Sequence, residues 1–197
     1  TLDQVKELWY SNQQRNKGIT EDYKRLGIVT APDYFEYIVT QHASNTCIRD
    51  ITLPPNVSHP REFTYEQVNQ QANRIAHWAQ TIGVKEHDVV ALYMENCAEF
   101  IMFWLGLSKL GATIACINTY ITTKHISHAI ELADTKHLIV SSNRLDAWRS
   151  SIPHFESSEY LLALNVWVYE RGEYEANFPT ENSFVINNQT FDKFSTE

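Results

Sequence analysis

Between Val89 and Ser141 the chain switches repeatedly between a run of consecutive apolar residues and an apolar face repeating at helical spacing. Val89 to Met94 is a continuous apolar run of strand length, which suits a parallel strand covered on both faces. A helix is expected from about Ala98 to Leu110, with Asn96 and Glu99 able to cap its start and Gly111 to close it. Thr113 to Ile117 reads as the next strand. Thr122 or Thr123 can open a second helix whose face is Ile126, Ala129, Ile130 and Ala133, and His137 to Ser141 reads as a third strand. Strand, helix, strand, helix, strand with short joints means two consecutive βαβ units. The expected class is α/β, a mostly parallel βαβαβ sheet with flanking helices.

Upstream, one helix announces both of its ends. Thr64 and Gln67 have the spacing of a capping box, and Phe63 and Val68 that of a hydrophobic staple. Val68, Ala72, Ile75, Ala76, Ala79 and Ile82 then share one face. Gly83 supplies the left-handed stop, with Val84 placed to pack back on Ala79. Pro54, Pro55 and Pro60 mark a loop from Asp50 to Glu62. A short helix is expected after Pro32, with Tyr34, Phe35, Ile38 and Val39 on one face. Residues 1–27 form a polar, partly helical segment set off by the break from Gly27 to Pro32. Tyr160 to Tyr169 reads as another strand ending in a turn at Gly172, and from Glu173 onward the pattern assigns no element. Thr1 is not a methionine and the chain stops on the polar stretch Asp192 to Glu197, so both ends read as cuts.

The formal charge is −8, from 24 acidic and 16 basic residues. With no basic cluster, that balance argues against a nucleic-acid partner, because phosphate contacts need a concentrated basic face. Cys47, Cys97 and Cys116 lie far apart and suggest neither a disulfide framework nor a zinc spacing, so a reducing compartment is the expectation. No signal peptide opens the sequence. The most apolar stretch, Phe100 to Ile117, carries Lys109 at its middle, where a charge costs about 2.5–3.5 kcal/mol on insertion scales. It reads as a buried helix and strand rather than a membrane span.

The residues suited to chemistry are few. Dinucleotide binding needs glycines after the first strand so that a pyrophosphate can approach a helix start. Here the turn is Glu95-Asn96-Cys97-Ala98, and no Walker-type loop occurs. His125 and His128, near Glu131 and Asp134, have a spacing that could face a metal, but read more simply as the solvated side of a helix. His77 reads as a surface residue. Glu95 and Glu99 could be a carboxylate pair, although a capping role explains Glu99 more simply. Cys97 sits where a helix start would lower a thiol's pKa, yet it has no identifiable histidine partner and reads as a packed cysteine. No catalytic, cofactor-binding or metal-binding residue is assigned from these patterns.

Phe63-Thr64-Tyr65-Glu66-Gln67-Val68, followed by Ala72-Asn73-Arg74-Ile75-Ala76, resembles the opening helix motif of adenylate-forming, AMP-binding enzymes. Asp88-Val89-Val90-Ala91-Leu92, Glu95-Asn96, Glu99-Phe100 and Trp104-Leu105-Gly106-Leu107-Ser108-Lys109-Leu110-Gly111 are closer still. With Ile117-Asn118-Thr119 they are similar to the fatty acid transport proteins, or very long-chain acyl-CoA synthetases. Tyr120-Ile121-Thr122 departs from that subfamily's Asn-Leu-Arg, and Cys97-Ala98 from its Arg-Pro. The resemblance implies that residues 28–197 are an incomplete part of the large N-terminal domain, truncated before the phosphate-binding loop. It further implies a parent enzyme that uses ATP, magnesium and coenzyme A. That enzyme would turn a long-chain or very long-chain fatty acid into an acyl adenylate and then a thioester, with a possible role in fatty acid uptake. Phosphate chemistry needs preorganised N–H groups, a lysine and a metal. The family's segments for these are not found between Thr1 and Glu197, so this chain alone is expected to be inactive and to bind no cofactor tightly. The resemblance implies an intracellular protein at the endoplasmic reticulum or plasma membrane, attached through a segment outside this chain, with oligomers possible. Two alternatives stand beside it: a non-catalytic relative using the fold for binding or oligomerisation, and a generic βαβ nucleotide binder.

Overall fold

The computed structural model describes residues 21–52, 60–170 and 183–196. Residues 21–25 are helical, and helix α1 follows at Ala31–His42. Thr30 caps it in a capping box with Asp33, and Pro32 lies in its first turn, where a missing N–H costs nothing. The sequence pattern places this helix after Pro32; the structure starts it two residues sooner, at Ala31.

Strands β1 (Thr46–Asp50) and β2 (Arg61–Thr64) form an antiparallel hairpin. The loop expected from Asp50 to Glu62 is therefore shorter, because Asp50 ends one strand and Arg61 and Glu62 begin the other. Pro54 and Pro55 lie outside the described residues. Helix α2 (Tyr65–Thr81) starts at the Thr64–Gln67 capping box. It ends in a Schellman motif, with Val84 N donating to Ala79 O at 3.0 Å and Gly83 N to Gln80 O at 3.1 Å. Gly83 has φ +90°, a conformation that a Cβ would strain.

The main sheet follows the expected alternation: β3 (Val89–Tyr93), helix α3 (Ala98–Lys109), β4 (Thr113–Cys116), helix α4 (Lys124–Leu132) and β5 (His137–Ser141). Then come α5 (Leu145–Ser151), α6 (Ser158–Ala163), β6 (Asn165–Tyr169), β7 (Ser183–Ile186) and the short α7 (Asn188–Phe191). The strand expected over Tyr160 to Tyr169 is thus two elements. Ser157 caps α6 by accepting from Tyr160 N, and the Tyr160 hydroxyl donates to the Ile130 and Thr135 carbonyls, so this half is tied down as helix. The turn expected at Gly172 lies outside the described residues.

The five strands lie in the order β4-β3-β5-β6-β7, every pair parallel. The chain leaves β3 toward one edge and returns past it to β5. Two right-handed crossovers in opposite directions put their helices on opposite faces. On one face α2 and α3 cover Val90, Leu92 and Ile139; on the other α4 and α5 cover Ala91, Tyr93, Leu138 and Val140. The first face is rich in aromatics: Trp78 of α2 meets Phe103 of α3, Trp167 of β6 and Phe191 of α7 edge-on, at 6.3, 5.2 and 5.4 Å. Fully burying one such side chain as Phe103 stabilises the fold by about 1.5–3 kcal/mol. Helices α2 and α3 approach closely at Gly106, where a Cβ would stand 2.5 Å from the Ala72 carbonyl oxygen. Only glycine lets the two backbones meet there.

Candidate functional site

In an open parallel sheet, ligands bind outside the carboxyl ends of the strands, at the point where the connections part in opposite directions. Here that crevice lies between β3 and β5. The turn after β3 carries Glu95, and the turn after β5 carries Arg144. Ser141 Oγ donates to Glu95 Oε2 at 2.8 Å, and Arg144 Nε donates to Glu95 Oε1. A further Arg144 N–H reaches the Thr119 carbonyl at 3.5 Å, just past β4. One carboxylate thus gathers the ends of three strands. Its oxygens are both engaged, which suits an acceptor that orders the turns better than a free general base. The Tyr93 hydroxyl, at the end of β3, is buried with no hydrogen-bond partner. Burial pushes its pKa up, with Arg144 pulling it down and Glu95 pushing it up.

A second charged cluster lies where the hairpin meets α3. Arg61 donates from one nitrogen to Asp50 Oδ2 at 2.6 Å and grips Glu99 with two nitrogens, at 2.6 and 3.0 Å. Asp50 Oδ2 also accepts the Ala98 N–H at 3.2 Å. Burial opposes ionisation of Asp50. The Thr52 hydroxyl, Arg61 and the Thr52 and Ala98 N–H groups outweigh it and hold the pKa at about 2. Burial would lower the Arg61 pKa, but Glu99 and Asp50 drive it upward instead.

These contacts correct the capping expectation. Cys97 is the N-cap of α3 and makes no side-chain cap bond. Asp50 accepts the first N–H of the helix, that of Ala98, while Glu99 turns to Arg61 and Asn96 is exposed. Glu95 and Glu99 do not form a pair, since each is bound to a different arginine. Cys97 is buried, His77 half-buried, and His125 and His128 are exposed. Arg61, Asp50, Ser141 and Arg144 were not singled out from sequence. Ser141 and Arg144 could have been found by asking what stands at the carboxyl ends of neighbouring strands.

The turn from β3 into α3 is poorly suited to a phosphate. The helix start that a mononucleotide fold offers to phosphate, that of α3, is filled by a carboxylate of the same charge sign. Among the described residues no group of three or more His, Cys, Asp and Glu is placed to hold a metal ion. Nor is any described helix long and apolar enough to cross a membrane.

The family model for the AMP-binding enzyme matches residues 35–186. Crotonobetaine/carnitine–CoA ligase from Salmonella paratyphi A is 32% identical over 89 residues, which are 45% of this chain and 17% of that protein. The Proteus mirabilis enzyme of the same name is 34% identical over 83 residues, 42% of this chain and 16% of its own length. Among solved structures, the anthranilate CoA ligase AuaEII superposes with a TM-score of 0.64 at 23% identity, covering 86% of this chain and 29% of that one. Coronafacic acid ligase from Pectobacterium brasiliense gives 0.66 at 16% identity, covering 86% and 30%. The chain therefore has the fold of the N-terminal region of such ligases and spans under a third of their length.

Proposed function

Because the chain belongs to the AMP-binding enzyme family, we propose that it is the front part of the large domain of an ATP-dependent acid–thiol ligase. The parent joins a carboxylic acid to coenzyme A. Membership over residues 35–186 is the observation that carries this reading. Two of the similar proteins named above act on crotonobetaine or carnitine, and another on anthranilate. For the parent of this chain we favour a long-chain or very long-chain fatty acid. The support is the motif from Trp104 to Gly111 followed by Ile117-Asn118-Thr119.

In this reading the chain contributes walls and not chemistry. The Ala98 N–H at the start of α3 is taken by Asp50, whose carboxylate would repel a phosphate brought to the first strand-to-helix turn. Glu95 and Arg144 order the turns that border the crevice, and the phosphate groups are met by segments beyond those described. The test is acid-dependent exchange of pyrophosphate into ATP. A full-length protein containing this sequence should exchange with a long-chain acid and less with benzoate or crotonobetaine, and the 197-residue chain should not exchange at all. Preference for an aromatic acid would overturn the fatty-acid reading and leave the ligase reading standing. Absence of exchange with every acid would overturn the ligase reading.

A further inference from the structure

His137 is the first residue of β5 and is buried on the face covered by α2 and α3. Its Nδ1 accepts the indole N–H of Trp167 on the neighbouring strand β6, at 3.4 Å. Trp167 is a junction for three elements. Its ring stands edge-on to Trp78 of α2 at 5.2 Å and stacks on Phe184 of the edge strand β7 at 4.9 Å. The bond exists only while Nδ1 carries a lone pair, so the imidazole must be the neutral tautomer with its single proton on Nε2. Burial lowers the pKa of His137. The charged groups acting on it are Asp88, from the turn before β3, which raises the pKa, and Lys136, beside it in sequence, which lowers it. Asp88 is itself paired with Lys136 at 2.5 Å. The other side chains named here, Trp78, Trp167 and Phe184, do not titrate.

We propose that His137 is an acid-sensitive latch: its neutral ring holds Trp167, and through it strands β6 and β7, against α2, and a proton on Nδ1 releases them. The new proton would meet the indole N–H donor to donor, so Trp167 must turn away or the strand must shift. The part of the sheet affected is the β7 edge, where Phe184 and Val185 are already exposed. Local opening of this kind draws on the least stable part of a fold. The device is independent of the ligase reading, because His137 begins β5, at the end of that strand opposite Ser141 and the Glu95–Arg144 crevice.

The experiment is NMR on the 197-residue chain with 15N-labelled tryptophan, the Trp167 indole signal being assigned by loss in Trp167→Phe. On acidification through the His137 titration, which burial places below the ordinary histidine range, protection of that indole proton should fall with the neutral fraction, about tenfold for each pH unit below the midpoint. In His137→Gln, whose amide oxygen accepts without titrating, protection should persist across the range. Should either variant fail to fold, the wild-type His137 ring carbons are followed instead and must share one midpoint with the Trp167 indole. An indole signal that ignores pH, an unchanged titration in His137→Gln, or two separate midpoints would each overturn the latch.

Discussion

Two charged clusters meet the turn after β3 through Glu95 and Glu99, four residues apart, and behave as opposites in space. Asp50 and Glu99 are sealed, 3% and 5% exposed, on either side of Arg61, which ties the two hairpin strands to each other and to α3. Glu95 and Arg144 are 22% and 34% exposed and face the crevice at the carboxyl ends of the strands. A sealed ion cluster is expensive to break, because removing one partner strands a charge in low dielectric. A half-open pair is screened and contributes little to stability. The sealed cluster therefore builds the turn, and the open one is left available for what the turn borders.

That contrast can be broken most forcefully at Arg61. Arg61→Ala leaves Asp50 and Glu99 buried together without a counter-charge, and should cost about 3–5 kcal/mol in urea unfolding. A loss below about 1 kcal/mol would place this cluster with the open one. Next in size is the acid response of Asp50. Its folded pKa of about 2 lies below the ordinary carboxylate value of 3.8, so its contribution is full above pH 3.8 and is lost as pH falls through about 2. The separation corresponds to roughly 2 kcal/mol. Asp50→Asn should be less stable by about that amount at neutral pH and should lack this part of the acid slope. The smallest effect belongs to the open pair. Glu95→Gln or Arg144→Ala should change unfolding by less than about 1 kcal/mol. A double-mutant cycle across Glu95 and Arg144 should likewise give a coupling energy well below that across Arg61 and Glu99.

What could be read from sequence follows the range of the interaction. The Thr64–Gln67 cap and the Gly83 stop are written within three or five residues of the helix they bound, and both were legible. So was the alternation from Val89 to Ser141, since each buried strand is a continuous apolar run. Helix α6 was misread because Tyr160, Leu161 and Leu162 are consecutive apolar residues, which period alone cannot assign to helix or strand. The hairpin was missed because Asp50 pairs with Arg61 across a proline-rich stretch, and its strands show no clean alternation. Glu99 has the position of a cap, but the carboxylate on the Ala98 N–H is that of Asp50, from 48 residues away. The crevice was invisible for the same reason: Glu95 meets Arg144 only after the chain has left β3, turned and come back to its other side.

The claim on which the rest depends is that the start of α3 is closed to phosphate by the Asp50 carboxylate, and the Ala98 amide reports on it directly. With 15N-labelled chain, ATP and magnesium should leave the Ala98 N–H resonance where it is in the free protein. A saturable shift of that resonance would mean that the nucleotide displaces Asp50, and would contradict the account.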